Sequence, residues 1–434
     1  MTEPDGSFEP GRDFAAALDR GDPLGRFRDE FHIPGRESGA EEIYFAGNSL
    51  GLLPKRTRTY VEEELEKWKR LAVKAHFSGE NPWMPYHEVL AVPMAKLVGA
   101  SASASKSEVV TMNSLTVNLH LMMATFYRPT RERHRVLLED RAFPSDDYAI
   151  ESQARFHGFD PAEALVRLRP NPRQREHAID AACVSEVLER EGESIALVLL
   201  PGVQYYTGQA FDIEAITRLA HAKGCLVGFD LAHAAGNLVL RLHEWNVDFA
   251  VWCTYKYLNS GPGSVGGCFV HERHGMQSDL PRLAGWWGHD KESRFRMESG
   301  FRPIPGAEGW QLSNPSILSL AAIRASLEVF MEAGGMEPLR EKSLRLTAYL
   351  EWLLAREIGE SVEILTPEDP RRRGCQLSLR VKSKRSGRTV LENLEAAGVT
   401  CDWREPDVIR AAPVPLYNRY EEVYRFVEIL RSAL

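Results

Sequence analysis

Lys256 follows the apolar run Asp248 to Cys253 and precedes Tyr257-Leu258-Asn259-Ser260 and the turn Gly261-Pro262-Gly263. An amine that leaves a buried strand into such a turn is partly desolvated, which favours its neutral, nucleophilic form and suits Schiff-base chemistry. Asp230 closes a second apolar run, Cys225 to Asp230. A carboxylate there can pair with a protonated pyridine nitrogen and so strengthen pyridoxal 5'-phosphate (PLP) as an electron sink. His233, three residues on, is placed either to orient that carboxylate or to contact the ring. Singly, the lysine reads as a surface residue and the aspartate as a helix N-cap. At the ends of neighbouring strands, the pair points to a PLP site.

Two other patterns fail on context. Gly261-Pro-Gly-Ser-Val-Gly266 fits the dinucleotide fingerprint, but the strand-like run Gly267 to Val270 follows it where a helix should open. His271-Glu-Arg-His274 spaces its histidines by three rather than four, with no third ligand evident, and no metal is assigned. The six cysteines form no CxxC pair and mostly sit in apolar segments, which suits a reducing cytosol.

These residues need a scaffold, and its elements are legible. Seven short apolar runs are expected as strands: Glu108 to Met112, Arg135 to Leu138, Ala164 to Leu168, Ile195 to Leu200, Cys225 to Asp230, Asp248 to Cys253 and Gly267 to Val270. Helically patterned segments such as Ile213 to Lys223 separate most of them, so the class is α/β with a mainly parallel sheet buried on both faces. The link before the last run is too short for a helical crossover, and that strand is expected to pair antiparallel. After Pro54, the stripe Val61, Leu65, Trp68 and Ala72 predicts an amphipathic helix crossing the surface of the large domain. A helix from Pro315 to the glycines at 334 and 335 bridges to a small α+β domain, which begins with the alternating strand Cys375 to Val381 and ends in the helix Tyr420 to Leu434. The expected division is an N-terminal segment 1–55, a large domain 56–314, and the bridge with the small domain 315–434. That fits 434 residues, more than one core usually holds.

A net charge of -8 argues against a nucleic-acid partner, and the basic run Arg371 to Arg373 reads as a solvated loop. No run approaches the length of a membrane span, and Met1 to Gly11, with Glu3 and Asp5, does not read as a signal peptide. A cytoplasmic enzyme is expected.

Asp248 to Val265 resembles the lysine signature of the class V aminotransferase family, with Tyr255 where His, Gln or Arg is usual, a departure similar to the kynureninase family. Matching segments run from Gly47-Asn-Ser-Leu-Gly51 to Ala412-Pro-Val-Pro-Leu-Tyr-Asn418. The resemblance implies an aspartate-aminotransferase-like fold, with PLP on Lys256 and with Asp230 and Tyr255 as catalytic partners. It implies Leu115, Thr116 and Tyr255 around the phosphate, Phe143 stacked on the ring, Ser145, Asp146 and His233 among the residues binding the cofactor, and Trp286 and Asn314 reaching it from a second subunit of a homodimer. Arg410 would grip the substrate α-carboxylate, with Ser49, His76, Ser313 and Asn314 also on the substrate. Pro201 departs from the Ser or Thr expected there. The implied reaction is hydrolysis of kynurenine or 3-hydroxykynurenine to an anthranilate and L-alanine. The contexts of His76, Ser313 and Asn314 resemble relatives that favour the hydroxylated substrate. A cysteine desulfurase is the alternative, but Cys375 lies on the apolar face of its strand where a desulfurase needs an exposed, mobile thiol. A PLP-binding regulator without turnover is the non-enzymatic alternative.

Overall fold

A computed structural model describes residues 8–36, 39–103, 106–170, 178–383 and 385–434; the sequence reading of Glu3 and Asp5 lies outside them. All seven expected strands form one sheet: β1 (Val109–Thr111), β2 (Arg135–Glu139), β3 (Leu165–Leu168), β4 (Ile195–Pro201), β5 (Leu226–Asp230), β6 (Phe249–Trp252) and β7 (Gly267–Val270). Their order is β1-β7-β6-β5-β4-β2-β3. Strands β3 to β6 and β2 run parallel, and β7 pairs antiparallel with both β6 and β1, as the short link requires.

Continuous apolar strands arise because successive side chains enter opposite layers. Val198, Leu200, Val227, Phe229, Ala250 and Trp252 face one core, while Leu197, Leu199, Phe249 and Val251 face another. Each such burial contributes about 1.5–3 kcal/mol. Crossover helices begin at side-chain caps: Asp212 accepts from the Ala215 N–H at 3.0 Å and Asp180 from that of Cys183 at 2.9 Å. Gly228 allows β5 to lie beside Phe249, whose ring would stand 2.1 Å from an added Cβ. Gly228→Ala therefore forces Phe249 out of its place.

Bridging helix α1 (Ile317–Glu332) ends at the predicted glycines. The next element, the 22-residue helix α2 (Met336–Glu357), was not read from the sequence. Beyond it an antiparallel sheet is built from β8 (Val362–Ile364), β9 (Leu377–Val381), β10 (Asp402–Arg404) and β11 (Val408–Ala411), in the order β10-β11-β9-β8. The expected terminal helix, α3, spans Tyr420–Ala433. A third core joins residues of this region, such as Leu346, Leu377 and Phe426, to Ala15, Ile43 and Phe45 near the N-terminus.

Three sequence expectations are corrected. The helix after Pro54 forms at Arg56–Leu71, but Leu65 and Trp68 of its apolar stripe are 43% and 60% exposed, and Ala72 also faces out. Its inner face is held by the buried pair Glu64–Lys67 at 2.8 Å, with the Trp83 indole donating to Glu64 at 2.7 Å. Apolarity showed that the stripe can be covered, without saying by what. Arg373 is no solvated side chain: it is buried, donating to the Pro367 carbonyl at 3.0 Å and pairing with Glu351 at 2.6 Å. Finally, β9 starts at Leu377, two residues after Cys375.

Candidate functional site

The parallel strands β4, β5 and β6 end together, with Pro201 opposite Asp230 and Asp230 opposite Val251. Lys256 lies four residues past β6, and its Nζ is 3.0 Å from Nε2 of buried His233. Burial first, then the positive charges of Lys256, Arg410 and Arg404, hold His233 well below its ordinary pKa, so the ring is neutral. Its Nε2 faces the lysine, and Nδ1 on the other side of the ring is a buried atom without a protein partner. His233 thus turns to Lys256, one step beyond the two roles weighed from sequence.

Asp230 and Asp146 are buried side by side, and burial raises both carboxyls. Asp230 accepts the Ala232 N–H at 2.7 Å and feels Lys256, both of which favour its charged form. For Asp146 the charge of neighbouring Asp230 adds to the effect of burial, and its Oδ1 has no partner. Of the two, Asp146 is raised further, and the Ala232 N–H with Lys256 favours charge on Asp230. Glu139, at the end of β2, is pushed up to about 8 by burial and was not singled out from sequence.

Helix α4 of the site, Leu115–Phe126, opens beyond β1 with no side-chain cap from Ser114. Thr116 Oγ1 instead meets Ser145 Oγ at 2.8 Å. That arrangement presents two hydroxyls and a helix N-terminus to one anion. Phe143 precedes the helix Pro144–Phe156, and its ring centroid lies 5.9 Å from Lys256 Nζ and 5.3 Å from Tyr205. Burial, then neighbouring Cys253, raises the phenol of Tyr255, which stays protonated. The Tyr255 carbonyl accepts the Gly51 N–H at 2.8 Å. Gly51 is obligatory here, because an added Cβ would stand 2.3 Å from the Lys256 carbonyl oxygen.

Arg410, on β11, is fully buried. It donates to the Tyr205 carbonyl at 2.7 Å and to Ser49 Oγ at 3.2 Å, and it pairs with Asp402. Ser49, Arg410, Tyr205, Phe143 and Lys256 are thereby linked contact by contact. His76, Trp286, Ser313 and Asn314 stand apart, and none of the described contacts joins them to Lys256 or Asp230. His76 packs edge-on against Trp83 at 5.2 Å, Trp286 against Phe295 at 5.4 Å, and Phe77 against Phe295 at 6.1 Å. Ser313 and Asn314 are exposed just after Leu312, whose carbonyl accepts the Trp287 N–H at 3.3 Å.

Gly261 to Gly266 leads into β7. His271 and His274 turn to different acids, Glu108 at 3.8 Å and Asp248 at 2.7 Å, but His271 does lie with Glu108 and His243 in a cluster whose ligand atoms fall within 4.8 Å of one another, which the spacing of the motif did not reveal. Cys375 is wholly buried, with its thiol pushed up to about 12 by burial. Sequence reasoning also missed Asp402 and Arg404. Their signal was charge at alternate positions of a short strand, but placing them beside Arg410 needs the β10–β11 register.

Solved structures with this architecture include the apo cysteine desulfurase from Thermococcus onnurineus NA1, with a TM-score of 0.72, 17% identity and 98% of each chain covered. A mutant C-DES with glycine covalently linked to its PLP cofactor has a TM-score of 0.75 and 17% identity, covering 93% of this chain and 98% of the other. The fold is the aspartate-aminotransferase-like one of the class V PLP-dependent enzymes, α/β with a seven-stranded, mainly parallel sheet. Residues 339–430 match the kynureninase C-terminal domain. Kynureninases of Koribacter versatilis and Myxococcus xanthus are 57% and 56% identical to this chain, covering 97% and 98% of both partners. The chain belongs to the kynureninase family.

Proposed function

We propose that this enzyme hydrolyses kynurenine, 3-hydroxykynurenine or both to the corresponding anthranilate and L-alanine, with PLP carried on Lys256. The carrying observation is the amine of Lys256 held by a neutral His233 beside the Asp230–Asp146 pair. The partnerless buried atoms, Asp146 Oδ1 and His233 Nδ1, fit a polar cofactor between these groups. Leu115, Thr116 and Ser145 would hold its phosphate together with Tyr255, Phe143 its ring face, and Asp230 its pyridine nitrogen. When bound, PLP supplies the sink for electrons released at the substrate's Cα.

The chain's own groups then divide the work. Arg410 and Ser49 hold the substrate α-carboxylate. The Lys256 amine takes the Cα proton, and the protonated Tyr255 phenol relays a proton to Cβ. Water adds at the γ-carbonyl carbon, the bond between Cβ and Cγ breaks, and water's oxygen leaves in the anthranilate carboxylate. Cα and Cβ depart as alanine. The test is a visible spectrum of the holoenzyme before and after kynurenine, with anthranilate fluorescence followed in time. Absence of anthranilate overturns the reading.

The working unit is a homodimer with shared sites. Leu65, Trp68, Val73, Phe77, Trp286 and Phe295 are exposed apolar side chains, more than scattered surface residues explain, and Phe77, Phe295 and Trp286 form a contiguous aromatic string. A second copy covering them brings Trp286 and Asn314 toward its Lys256. Mixing inactive Lys256→Ala and Asn314→Ala chains then restores activity through hybrids, whereas an active monomer in sedimentation sinks the arrangement. Among the described residues no helix is long and apolar enough to cross a membrane. Buried free thiols at Cys225, Cys253, Cys268, Cys375 and Cys401 suit the reducing cytosol proposed for this enzyme.

A further inference from the structure

Asp402 lies directly opposite Arg410 in the β10–β11 register, so both side chains leave the same face of the small sheet. Two residues along β10, Arg404 shares that face. One oxygen of Asp402 takes Arg410 and the other takes Arg404 Nη1 at 3.0 Å. Among the described residues no other acid pairs with either arginine. Two guanidiniums therefore share one carboxylate, and the group carries one positive charge in excess.

The hydrogen bonds are incomplete in the same sense. Arg410 spends its terminal nitrogens on Asp402, Ser49 and the Tyr205 carbonyl. Its Nε is buried without a partner, and so is the Nε of Arg404. Arg410 is wholly buried and Arg404 is 36% exposed, so a purely structural Arg–Asp–Arg cluster would leave two buried Nε donors unpaired and an excess positive charge only partly met by water. A second carboxylate entering the group repairs both.

We infer that Asp402 and Arg404 are positioning residues for the substrate α-carboxylate. Asp402 fixes the guanidinium of Arg410 with its Nε edge free, and Arg404 draws on the same carboxylate so that Asp402 does not neutralise Arg410. This rests on Arg410 being the carboxylate-binding residue. It adds why a buried arginine already paired with an acid still takes a second anion. In Arg404→Leu, one carboxylate cancels Arg410 entirely, and affinity for the incoming anion falls.

The test compares KM for kynurenine with the inhibition constant Ki of the aryl-ketone amine that lacks only the α-carboxyl group, using PLP-loaded Arg404→Leu. The expected result is KM raised about tenfold or more, kcat nearly kept, and Ki unchanged, since lost binding to a group distant from the broken bond is uniform. Arg404→Lys, which keeps the charge, recovers most of the KM, and Arg404→Gln, which removes the charge but keeps a polar side chain, takes the place of the leucine variant if that one does not fold. An unchanged KM overturns the inference, and so does a parallel rise of KM and Ki, which marks a general disturbance. Arg410→Lys separates the two readings. If it leaves the ratio of KM to Ki as in the unaltered enzyme, the assignment of Arg410 itself has failed.

Discussion

Strand β6 has an acid before it and an amine after it, and the two ends of the sheet treat their polar groups in opposite ways. Before β6, Asp248 accepts the Val227 N–H at 2.7 Å, meets His221 at 2.8 Å and His274 at 2.7 Å, and pairs with Arg273 at 2.6 Å. Nearby, Glu108 accepts the Ser101 and Glu272 N–H groups, both at 2.7 Å, and meets His243 at 2.9 Å. After β6, Asp230, Asp146 and His233 are as deeply buried, yet Asp146 Oδ1 and His233 Nδ1 have no partner. Burial costs both ends similarly; only one end offsets that cost internally. The first is built to hold the chain together, and the second is left incomplete for something that arrives from outside.

Substitutions at the two ends should therefore fail differently. Lys256→Ala removes the visible absorption of the holoenzyme and steady-state turnover while the melting temperature of the apoprotein barely moves; near-normal turnover breaks the assignment. Asp230→Ala comes next, with kcat reduced by several powers of ten and the cofactor retained, checked by PLP content against rate. Retained activity makes Asp230 a mere cap. At the opposite end, Asp248→Ala costs about 1–3 kcal/mol in denaturant unfolding, because the buried Val227 N–H loses its acceptor, while kcat per folded molecule is kept.

Acid sharpens the same contrast. Burial pushes the Asp248 carboxyl up, but His221, His274 and Arg273 together outweigh it and hold the carboxyl below its ordinary range. A carboxyl depressed in the folded state contributes stability above its unfolded pKa of about 3.9, and loses it as pH falls toward the folded value. The unaltered protein therefore loses stability below about pH 4 more steeply than Asp248→Asn. Equal slopes deny Asp248 its role.

The smallest effect concerns substrate choice. If His76, Ser313 and Asn314 meet a ring hydroxyl, 3-hydroxykynurenine is preferred in kcat/KM by roughly 5- to 150-fold, the worth of about 1–3 kcal/mol of polar groups otherwise unpaired. His76→Ala and Asn314→Ala should erase that preference. A preference for kynurenine defeats it, and one that survives both substitutions assigns it to other residues.

Most of this contrast was legible in sequence at the Lys256 end. Apolar runs ending in Asp230 and leading to Lys256 carry their own positional information, since a strand buried on both faces announces where it stops. The Asp248 cluster was not legible, although two of its members are histidines, because His221 comes from one helix and Arg273 with His274 from another, and only the fold brings them together. Asp402 and Arg404 stayed hidden for a related reason: a strand of three residues has too little period to reveal its face. The exposed stripe of Leu65 and Trp68 was seen and misplaced, because hydrophobic periodicity does not distinguish a core from a contact with another chain.

The position of β7 bears on how the chain is made. Strand β1 has β7 as its one neighbour in the sheet, and β7 is the last of the seven to be synthesised. On the ribosome, β1 must wait as an unpaired segment that the native fold buries completely, while the parallel strands between them assemble, a period in which its open edge invites wrong partners. Slowing translation after β7 has emerged should leave the yield of native protein unchanged, whereas a pause before it should send more of the chain to aggregates.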